Sequence, residues 1–375
     1  MAKDDQAAAG SQLILPRDNP EPRSPEPRSP EPGPGRGSDY AVLSRRIKQA
    51  GLLQRRPAWY IVRISLQALA LAVGWAAFLV LGDSWWQLAT AVFLAVVFSQ
   101  LGFVTHDAGH RQMFRTRRPN DRVGLIIGDL LIGISYGWWV GKHNRHHANP
   151  NNVEEDPDVV IGAVAFTTDQ ALAKRGLLRV IARHQAWLFL PLLSLQAAQL
   201  HVQSVRSLLR QRGRAAVLEG LLLTGHLLAY LGAVVTVLSP LRALLWIAVQ
   251  QGLFGVYLGC SFAPNHKGMP ILSGRDELDY LRRQVLTSRN VRGNRFLEFA
   301  LGGLNYQIEH HLFPSMPRPN LRHAQPIVRA FCQQHGLPYA ERGTLGSFAE
   351  VLGHLHAVGA PLRRPRTPSA PEPAR

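Results

Sequence analysis

The sequence predicts an all-α integral membrane protein, with four transmembrane helices arranged as two hairpins and a cytoplasmic helical cap that holds a histidine-rich site for two metal ions. Three observations lead to this fold class. Four apolar runs are each long enough to cross a bilayer. The arginines of a chain with net charge +17 lie mostly outside the paired runs. Three histidine clusters have a spacing that places side chains on one face of a helix.

Residues 1–38 form a polar, proline-rich segment in which Glu-Pro-Arg-Ser-Pro occurs at 21–25 and again at 26–30. Such a segment buries too little apolar surface to offset the entropy cost of folding, so we expect a disordered tail. Residues 359–375, rich in Pro and Arg, are expected to form a second disordered tail. The membrane domain then covers 39–358, and its basic first 20 residues lead towards the membrane surface.

The predicted transmembrane helices cover four runs: 59–81, 85–105, 217–238 and 241–262. Each holds about 20 residues, which matches a bilayer core of roughly 30 Å. Trp85 and Trp86 open the second run and are typical of the membrane interface. Two less certain runs, 123–141 and 186–200, are predicted as interfacial helices or helices of the cap, and either could be re-entrant.

Charge placement predicts the orientation. The links within each pair of runs carry almost no Lys or Arg, whereas the N-terminal segment, 106–215 and 263–375 carry nearly all of the Arg. By the positive-inside rule these three segments face the cytoplasm. Four crossings of the plasma membrane then place both termini and all three histidine clusters on the cytoplasmic side.

The clusters are His106-Asp107-Ala108-Gly109-His110, His143-Asn144-Arg145-His146-His147 and Gln307-Ile308-Glu309-His310-His311. Positions i, i+3 and i+4 share one helix face, so the imidazoles of each cluster converge. Imidazole is the commonest side-chain metal ligand and suits Zn, Cu, Fe and Ni. The second run delivers its cluster about one turn beyond the lipid. The fourth run ends at Pro264-Asn265 and delivers His266 at the matching level.

Other residues limit the kind of site. The sequence contains only two cysteines, Cys260 and Cys332, which are too few for a cysteine-rich zinc site or an iron–sulfur cluster within this chain. Eight imidazoles are too many for one tetrahedral ion and about right for two ions with open positions. His226, inside the third run, is expected to pack between helices. Six further histidines fit no cluster and are expected at the surface: His184, His201, His323, His335, His354 and His356.

The segments HDAGH, HNRHH and NYQIEHHLFP resemble the three histidine boxes of the membrane fatty-acid desaturase superfamily. The order of the boxes and the arrangement of the spans match as well, over roughly residues 40–340. The resemblance implies a diiron enzyme that uses O2 and two electrons to place a double bond in an acyl chain, carried as acyl-CoA or acyl lipid. By position, the resemblance implies eight iron ligands: His106, His110, His143, His146, His147, His266, His310 and His311.

Gln307 departs from the pattern, because many family members have His there. This feature resembles front-end desaturases and a group of bacterial acyl-CoA or acyl-lipid desaturases, and it leaves open whether Gln307 contacts iron. Front-end enzymes often carry a fused cytochrome b5 domain, but this chain has no His-Pro-Gly-Gly haem motif. We therefore expect no haem or flavin in the chain, and an external donor such as a ferredoxin, a flavin reductase or a cytochrome b5-type protein.

Candidates for support of the metal ligands are Asp107, Asp156 and Glu309, whose carboxylates could orient imidazoles through hydrogen bonds. Asn265 could reach a metal through water. For the carboxylates, solvation or pairing with Arg is an equally open interpretation, and for Asn265 so is helix capping. The residues that bind the substrate are not indicated by the sequence.

Four other functions were compared with the features of the sequence. A related membrane diiron hydroxylase of fatty acids or alkanes, or a carotenoid ketolase, would share similar boxes. A metal transporter would need ionisable residues along its spans near the midplane, whereas Arg63 and Glu219 lie near span ends. A membrane adaptor would not need eight converging histidines. Nucleic-acid binding is excluded because no recognisable module occurs and the apolar runs are too long for a soluble domain.

Overall fold

The computed structural model describes residues 38–160, 162–274 and 276–363. The predicted N-terminal tail, apart from Ser38, and residues 364–375 of the predicted C-terminal tail lie outside the described residues. The last α-helix runs to Gly359, a 3-10 turn follows over Ala360–Leu362, and Leu362 is buried. The folded part therefore continues past the predicted boundary at 359, because Leu362 packs into an apolar cluster.

Within the described residues the chain forms fifteen α-helices and two short strands. The helices, in chain order, are α1 (Asp39–Gln49), α2 (Pro57–Leu81), α3 (Gln87–Gly109), α4 (Arg117–Leu125), α5 (Tyr136–Ala148), α6 (Thr168–Ala173), α7 (Gly176–Leu193), α8 (Gln196–Arg210), α9 (Arg214–Val237), α10 (Pro240–His266), α11 (Tyr280–Leu286), α12 (Arg295–Ala300), α13 (Gln307–Leu312), α14 (Arg318–Gln334) and α15 (Thr344–Gly359). The strands are β1 (Asn290–Arg292) and β2 (Glu341–Gly343).

Four of these helices, α2, α3, α9 and α10, are long and apolar enough to cross a membrane, in the same order as the four predicted runs. The ends differ by a few residues. α3 begins after Trp85 and Trp86, which are both exposed, and it continues to Gly109. The sequence analysis placed His266 just after the end of the fourth helix. In the structure α10 continues through Pro264, so His266 belongs to its last turn.

The centre of this helical layer is formed by α3 and α10, which pack against each other, while α2 packs on α3. Trp246 of α10 is fully buried among aromatic rings that include Trp75 and Phe78 of α2. Its Nε1 donates a hydrogen bond of 3.0 Å to Thr90 Oγ1 of α3. A buried N–H group is costly unless it is paired, so this bond favours one alignment of α3 and α10.

The predicted run 123–141 is interrupted in the structure. α4 continues into a π-helical turn over Ile126–Leu131, and α5 leaves this segment at an angle of 114°. Gly133 has φ 72° in the connecting turn, and its carbonyl accepts a hydrogen bond of 2.7 Å from His201 Nδ1. His201 is thus half-buried and not the surface residue that was expected. His226 is buried as expected and contacts the carbonyl of Leu130 through Nδ1.

The predicted run 186–200 is likewise divided between two helices. α7 ends at Leu193 and α8 begins at Gln196, with Ser194 and Leu195 between them. The added Cβ of an alanine at Gly255 of α10 would lie 2.6 Å from the carbonyl oxygen of Leu193. The α7–α8 junction therefore rests on the backbone of α10, which only a glycine at this position permits.

A second apolar core joins α1 to the part of the chain that follows α10. Leu43 and Ile47 of α1 pack with Val285 of α11, Ile308 of α13 and Phe331 of α14. β1 and β2 pair in parallel, with Asn290 opposite Glu341, which is a small departure from the all-α prediction. This core matters because it fixes α13, the helix that carries the third histidine cluster.

Candidate metal centre

Each histidine cluster lies on or at the end of a helix, as its spacing predicts. His106 is in the last turn of α3, and His110 follows that helix as its C-terminal cap. The second cluster occupies the last turns of α5, whose first turn is capped by the Ser135 hydroxyl. The third cluster forms α13. The imidazoles therefore lie at helix ends, and the preceding turns of α3 and α10 are largely buried.

The structure brings all eight predicted histidines together in two groups. In the first group, one ring nitrogen from each of five histidines lies within 4.8 Å of the others; the five are His106, His110, His143, His147 and His310. The second group has the same property and consists of His146, His266 and His311. Seven of the eight residues are buried, and His143 is half-buried. Helices α3, α5, α10 and α13 all contribute.

The separations of ring nitrogens fit a metal. Nε2 atoms lie 3.1 Å apart in the pair His106–His310 and 3.1 Å apart in the pair His143–His147. His146 and His266 of the second group have Nε2 atoms 3.4 Å apart. Nitrogens bound to one ion at about 2.1 Å would lie about 3.0–3.4 Å apart in octahedral or tetrahedral geometry.

Unpaired ring nitrogens give a second indication. Nε2 of His110, in the first group, and Nε2 of His311, in the second, are buried without a hydrogen-bond partner among the described residues. A buried polar atom without a partner costs free energy, and a bound cation would satisfy both atoms. Both groups are therefore compatible with metal binding.

The third cluster carries the protonation state that a metal requires. Burial lowers the pKa of His310 and of His311 well below the usual range, and neighbouring histidines lower each pKa further. A neutral imidazole keeps a free lone pair, and only that form binds a metal ion. These two side chains are thus neutral at physiological pH and available as ligands.

Hydrogen bonds to Nδ1 orient four of the rings. His106 Nδ1 lies 3.1 Å from Asp107 Oδ1, and His146 Nδ1 lies 2.9 Å from Asp156 Oδ2. His266 Nδ1 is 2.9 Å from the carbonyl oxygen of Thr287. His311 Nδ1 is 2.9 Å from Gln284 Oε1. A partner on Nδ1 fixes the ring and leaves Nε2 facing the group, which is the usual arrangement around protein metals.

The two aspartates are themselves held in place. Asp107 Oδ2 forms a buried ion pair of 2.6 Å with Arg318. Asp156 Oδ2 also accepts the backbone N–H of Asn151 at 2.8 Å. Both residues therefore sit where the sequence analysis expected support for an imidazole, with Arg pairing as an additional contact of Asp107.

Gln307 and Asn265 lie at the second group. Gln307 Nε2 is 2.8 Å from His266 Nε2, and Gln307 Oε1 accepts a bond of 3.2 Å from Asn265 Nδ2. Glu309 points elsewhere: its carboxylate accepts hydrogen bonds from Asn290 Nδ2 at 2.8 Å and from the Tyr339 hydroxyl at 2.7 Å. Neither of these contacts is with an imidazole, and Glu309 instead joins α13 to Asn290 of β1 and to Tyr339, which precedes β2.

Sequence reasoning missed Gln284 and Thr287. Both lie at or just after α11, and each bonds a histidine at least 21 residues distant in the chain. Gln284 Nε2 also donates to the carbonyl of His147 at 3.0 Å, so one side chain connects the second and third clusters. Neither residue gives a local signal, because the contact of Gln284 depends on tertiary packing and Thr287 uses its main-chain carbonyl, which any residue would supply.

An apolar cavity of about 410 Å³ adjoins the histidines. Its lining includes the imidazoles of His106, His143, His146 and His266. Lys142 and Lys267 lie at this end, and both contact Asp158. Much of the remaining lining consists of apolar residues of α7 and α10, and α8 contributes Leu200 together with two glutamines. The cavity thus joins a metal-compatible cluster to a space suited to a hydrocarbon chain.

These features define a class, that of helical proteins with membrane-length apolar helices and a buried polyhistidine site beside an apolar cavity. Comparison with known proteins narrows it. The family model described as "Fatty acid desaturase" matches residues 83–343. The chain belongs to the fatty acid desaturase family, whose members are oxidoreductases that desaturate fatty acids.

Three relatives illustrate the similarity. The chain is 34% identical over 284 residues to an acyl-lipid (9-3)-desaturase of Physcomitrium patens, covering 72% of this chain and 53% of that protein. It is 28% identical to the Delta(6)-fatty-acid desaturase fat-3 of Caenorhabditis elegans, covering 84% and 74%. It is 31% identical to the Delta(5) fatty acid desaturase fat-4 of the same organism, covering 80% and 69%. The chain spans about half the length of the moss relative.

Proposed function

We propose that the protein is a membrane-bound fatty acyl desaturase that introduces a double bond with two non-haem iron ions, O2 and two electrons. The observation that carries this proposal is the contact between two groups of imidazoles and one apolar cavity. The family membership supports the reaction type. The cavity supports an acyl substrate, since small-molecule sites are concave and mostly apolar.

The chemistry explains why iron is proposed. An unactivated methylene has no acidic hydrogen, so acid–base groups alone cannot remove its hydrogens. Bound iron with O2 would supply an oxidant that a redox-inert zinc cannot supply. The proposed ligands are the eight histidines, with Gln307 as a candidate neighbour of the second ion.

The residues of the chain have three tasks in this proposal. The imidazoles bind the ions, and Asp107, Asp156, Thr287 and Gln284 orient four of the rings. The apolar cavity wall holds the acyl chain of the substrate and excludes water. Exclusion of water strengthens local electrostatics and limits side reactions.

The relatives bear on the substrate. One is named for an acyl lipid and two for positions 6 and 5 of a fatty acid. We propose a fatty acyl chain, carried as acyl-CoA or as an acyl lipid, as the substrate. Electrons would come from a redox partner such as a ferredoxin, a flavin reductase or a cytochrome b5-type protein.

We also propose a cytoplasmic metal centre in the plasma membrane. The four membrane-length helices support insertion. The excess of Arg in 106–215 and 263–375 supports a cytoplasmic position for these segments through the positive-inside rule. The histidine clusters lie within them or at the span ends that lead into them, on the side from which a soluble electron donor would approach.

The test is expression with a reductase partner, followed by gas chromatography of cellular fatty acids and iron analysis of the purified protein. A new double bond that disappears in His147→Ala supports the proposal. His184→Ala is the matched control, because His184 is exposed on α7 and belongs to neither group. Hydroxylated or keto products with iron bound would favour the hydroxylase or ketolase alternatives, and an iron-free protein would contradict the diiron site.

A further inference from the structure

The pair α7 and α8 exposes apolar side chains along both helices. On α7 the exposed apolar residues include Leu177, Val180, Trp187 and Pro191, which recur at helical spacing. On α8 and at Leu195, which precedes it, they include Leu195, Val202, Val205 and Leu209. Trp187 is 81% exposed and Leu209 is 82% exposed, values that a water-facing helix seldom combines.

Charge divides the same segment into a middle and two ends. No Asp, Glu, Lys or Arg occurs between Arg183 and Arg206. Exposed arginines flank this middle part on both sides, at Arg175 and Arg179 before it and at Arg210 after it. An apolar middle bounded by Arg suits a segment that dips into a bilayer, with its ends at the headgroups.

Packing on α10 indicates how deep the middle part reaches. The α7–α8 junction contacts Gly255, and the side chain of Leu193 fills the space beside Gly259. Gly255 lies eleven residues before His266, which is about 16 Å along a helix. The junction therefore lies beside the interior of a membrane-length helix, well below the level of the histidines.

The cavity of the metal centre extends to this junction. Leu195 and Gln199 line it, together with Leu192, Leu193 and Leu200. Leu195 is 61% exposed, and Gln199 is also exposed. Side chains that both line the cavity and lie on the outer surface mark an opening, and here that opening lies among exposed apolar residues.

We propose that this opening, bounded by Leu195 and Gln199, is a lateral portal through which the methyl end of the acyl chain passes from the cavity into the hydrocarbon of the bilayer. The inference rests on the proposed function. The occupant of the exposed α7–α8 surface is the inner leaflet, because the surface is apolar in its middle, basic at its ends and continuous with the span α9, which is separated from α8 by only three residues. The site consequently sets no upper limit on chain length.

The experiment varies only the methyl end of the chain. Cells that express the protein are fed fatty acids that share their carboxyl half and differ in the number of terminal methylenes, and products are quantified by gas chromatography. The purified protein is given the same acyl chains, and its Tm shift is recorded as a measure of binding. Wild type is expected to convert and bind the longest chains as well as chains of intermediate length.

The portal variant is Leu195→Trp and the matched control is Leu209→Trp, which places the same side chain on the same exposed surface away from the cavity lining. In Leu195→Trp the longest chains should lose about tenfold or more in conversion, because one methylene that a hydrophobic pocket cannot accommodate changes the rate by about tenfold or more, while the shortest chains are little changed. Leu209→Trp should retain the wild-type profile.

The possible results separate the portal from the proposed function. A steep decline with chain length in wild-type conversion or binding would overturn the portal and leave the desaturase proposal intact. Absence of any double bond would overturn the proposed function, while length-independent Tm shifts would still support an open cavity. Loss of the length tolerance in nanodiscs that hold one copy would show that a second copy of the chain, and not lipid, completes the cavity.

Discussion

Asp156 is the residue whose charge most directly supports the second histidine group. Both of its carboxylate oxygens lie within 3.0 Å of His146 Nδ1, and it is buried with 1% exposure. Asp156→Asn keeps the shape but weakens the hold on the ring. We expect iron affinity and turnover to fall about 10- to 100-fold, as is typical when the partner of a metal-binding histidine is lost.

The measurement is an iron titration of the purified variant, together with product analysis. Asp169→Asn is the matched control, because Asp169 is an exposed aspartate at the start of α6. Equal iron affinity in Asp156→Asn and Asp169→Asn would contradict the role of Asp156.

Gln284 supports a second prediction at the residue scale. Its Oε1 faces His311 Nδ1 and its Nε2 faces the carbonyl of His147, both at 3.0 Å or less. Gln284→Leu should reduce iron content and activity in the same range as loss of Asp156, about 10-fold or more. Gln284→Glu, which keeps the acceptor on Nδ1, should retain more iron than Gln284→Leu; the reverse order would count against an orienting role.

The residue scale also shows how far the sequence reaches. Seven of the eight histidines are visible as candidates because the i, i+3 and i+4 spacing of the clusters is local, and His266 is visible because it stands at the end of the fourth apolar run. Asp107 is adjacent to His106 in the sequence and Asp156 is ten residues after His146, so both could be named as candidates. Gln284 and Thr287 were not found, since their partners lie in other elements. The sequence could not predict the orientation of Glu309 either, because its partners Asn290 and Tyr339 reach it only through tertiary packing.

At the scale of elements, the contact between the α7–α8 junction and α10 gives a prediction for stability. Gly255→Ala would add a Cβ 2.6 Å from the carbonyl oxygen of Leu193 and 2.9 Å from the backbone N of Ala197. Backbone atoms cannot move aside as a flexible side chain does. We expect a loss of about 1–3 kcal/mol in the free energy of unfolding, and hence a lower Tm in detergent.

Gly232→Ala on α9 is the control. A Cβ there meets nothing within 4 Å, so alanine should leave Tm unchanged or raise it through its helix propensity. If Gly255→Ala behaved like Gly232→Ala, the close contact of the junction with α10 would be refuted.

The same elements explain which parts of the fold the sequence could predict. Long apolar runs with polar ends are sufficient to indicate α2, α3, α9 and α10. The breaks within 123–141 and 186–200 were not predicted, because each depends on a distant partner: His201 for the turn at Gly133, and the glycines of α10 for the α7–α8 junction. Hydropathy averages over such a break and records one continuous run.

At the scale of the whole molecule, α3 and α10 pack along each other, and α5 and α13, from other parts of the chain, join them at the histidines. α3, α5, α10 and α13 each contribute ligand candidates, and α11 joins two of them through Gln284. Bound metal therefore connects the membrane-length helices to the core that holds α13. Metal binding and global stability should be linked, since a ligand that binds only the folded chain shifts the folding equilibrium.

Removal of metal tests this link. Iron(II) at about 100 times its dissociation constant would stabilise the folded protein by about 2.7 kcal/mol for each independent site. Thermal unfolding of chelator-treated and iron-reconstituted protein should therefore show a clearly lower Tm without metal. His147→Ala removes a ligand candidate of the five-histidine group and should reduce the increment, whereas the exposed His184→Ala should retain it. An iron-dependent increment of the same size in both variants would contradict metal binding through His147 in the five-histidine group.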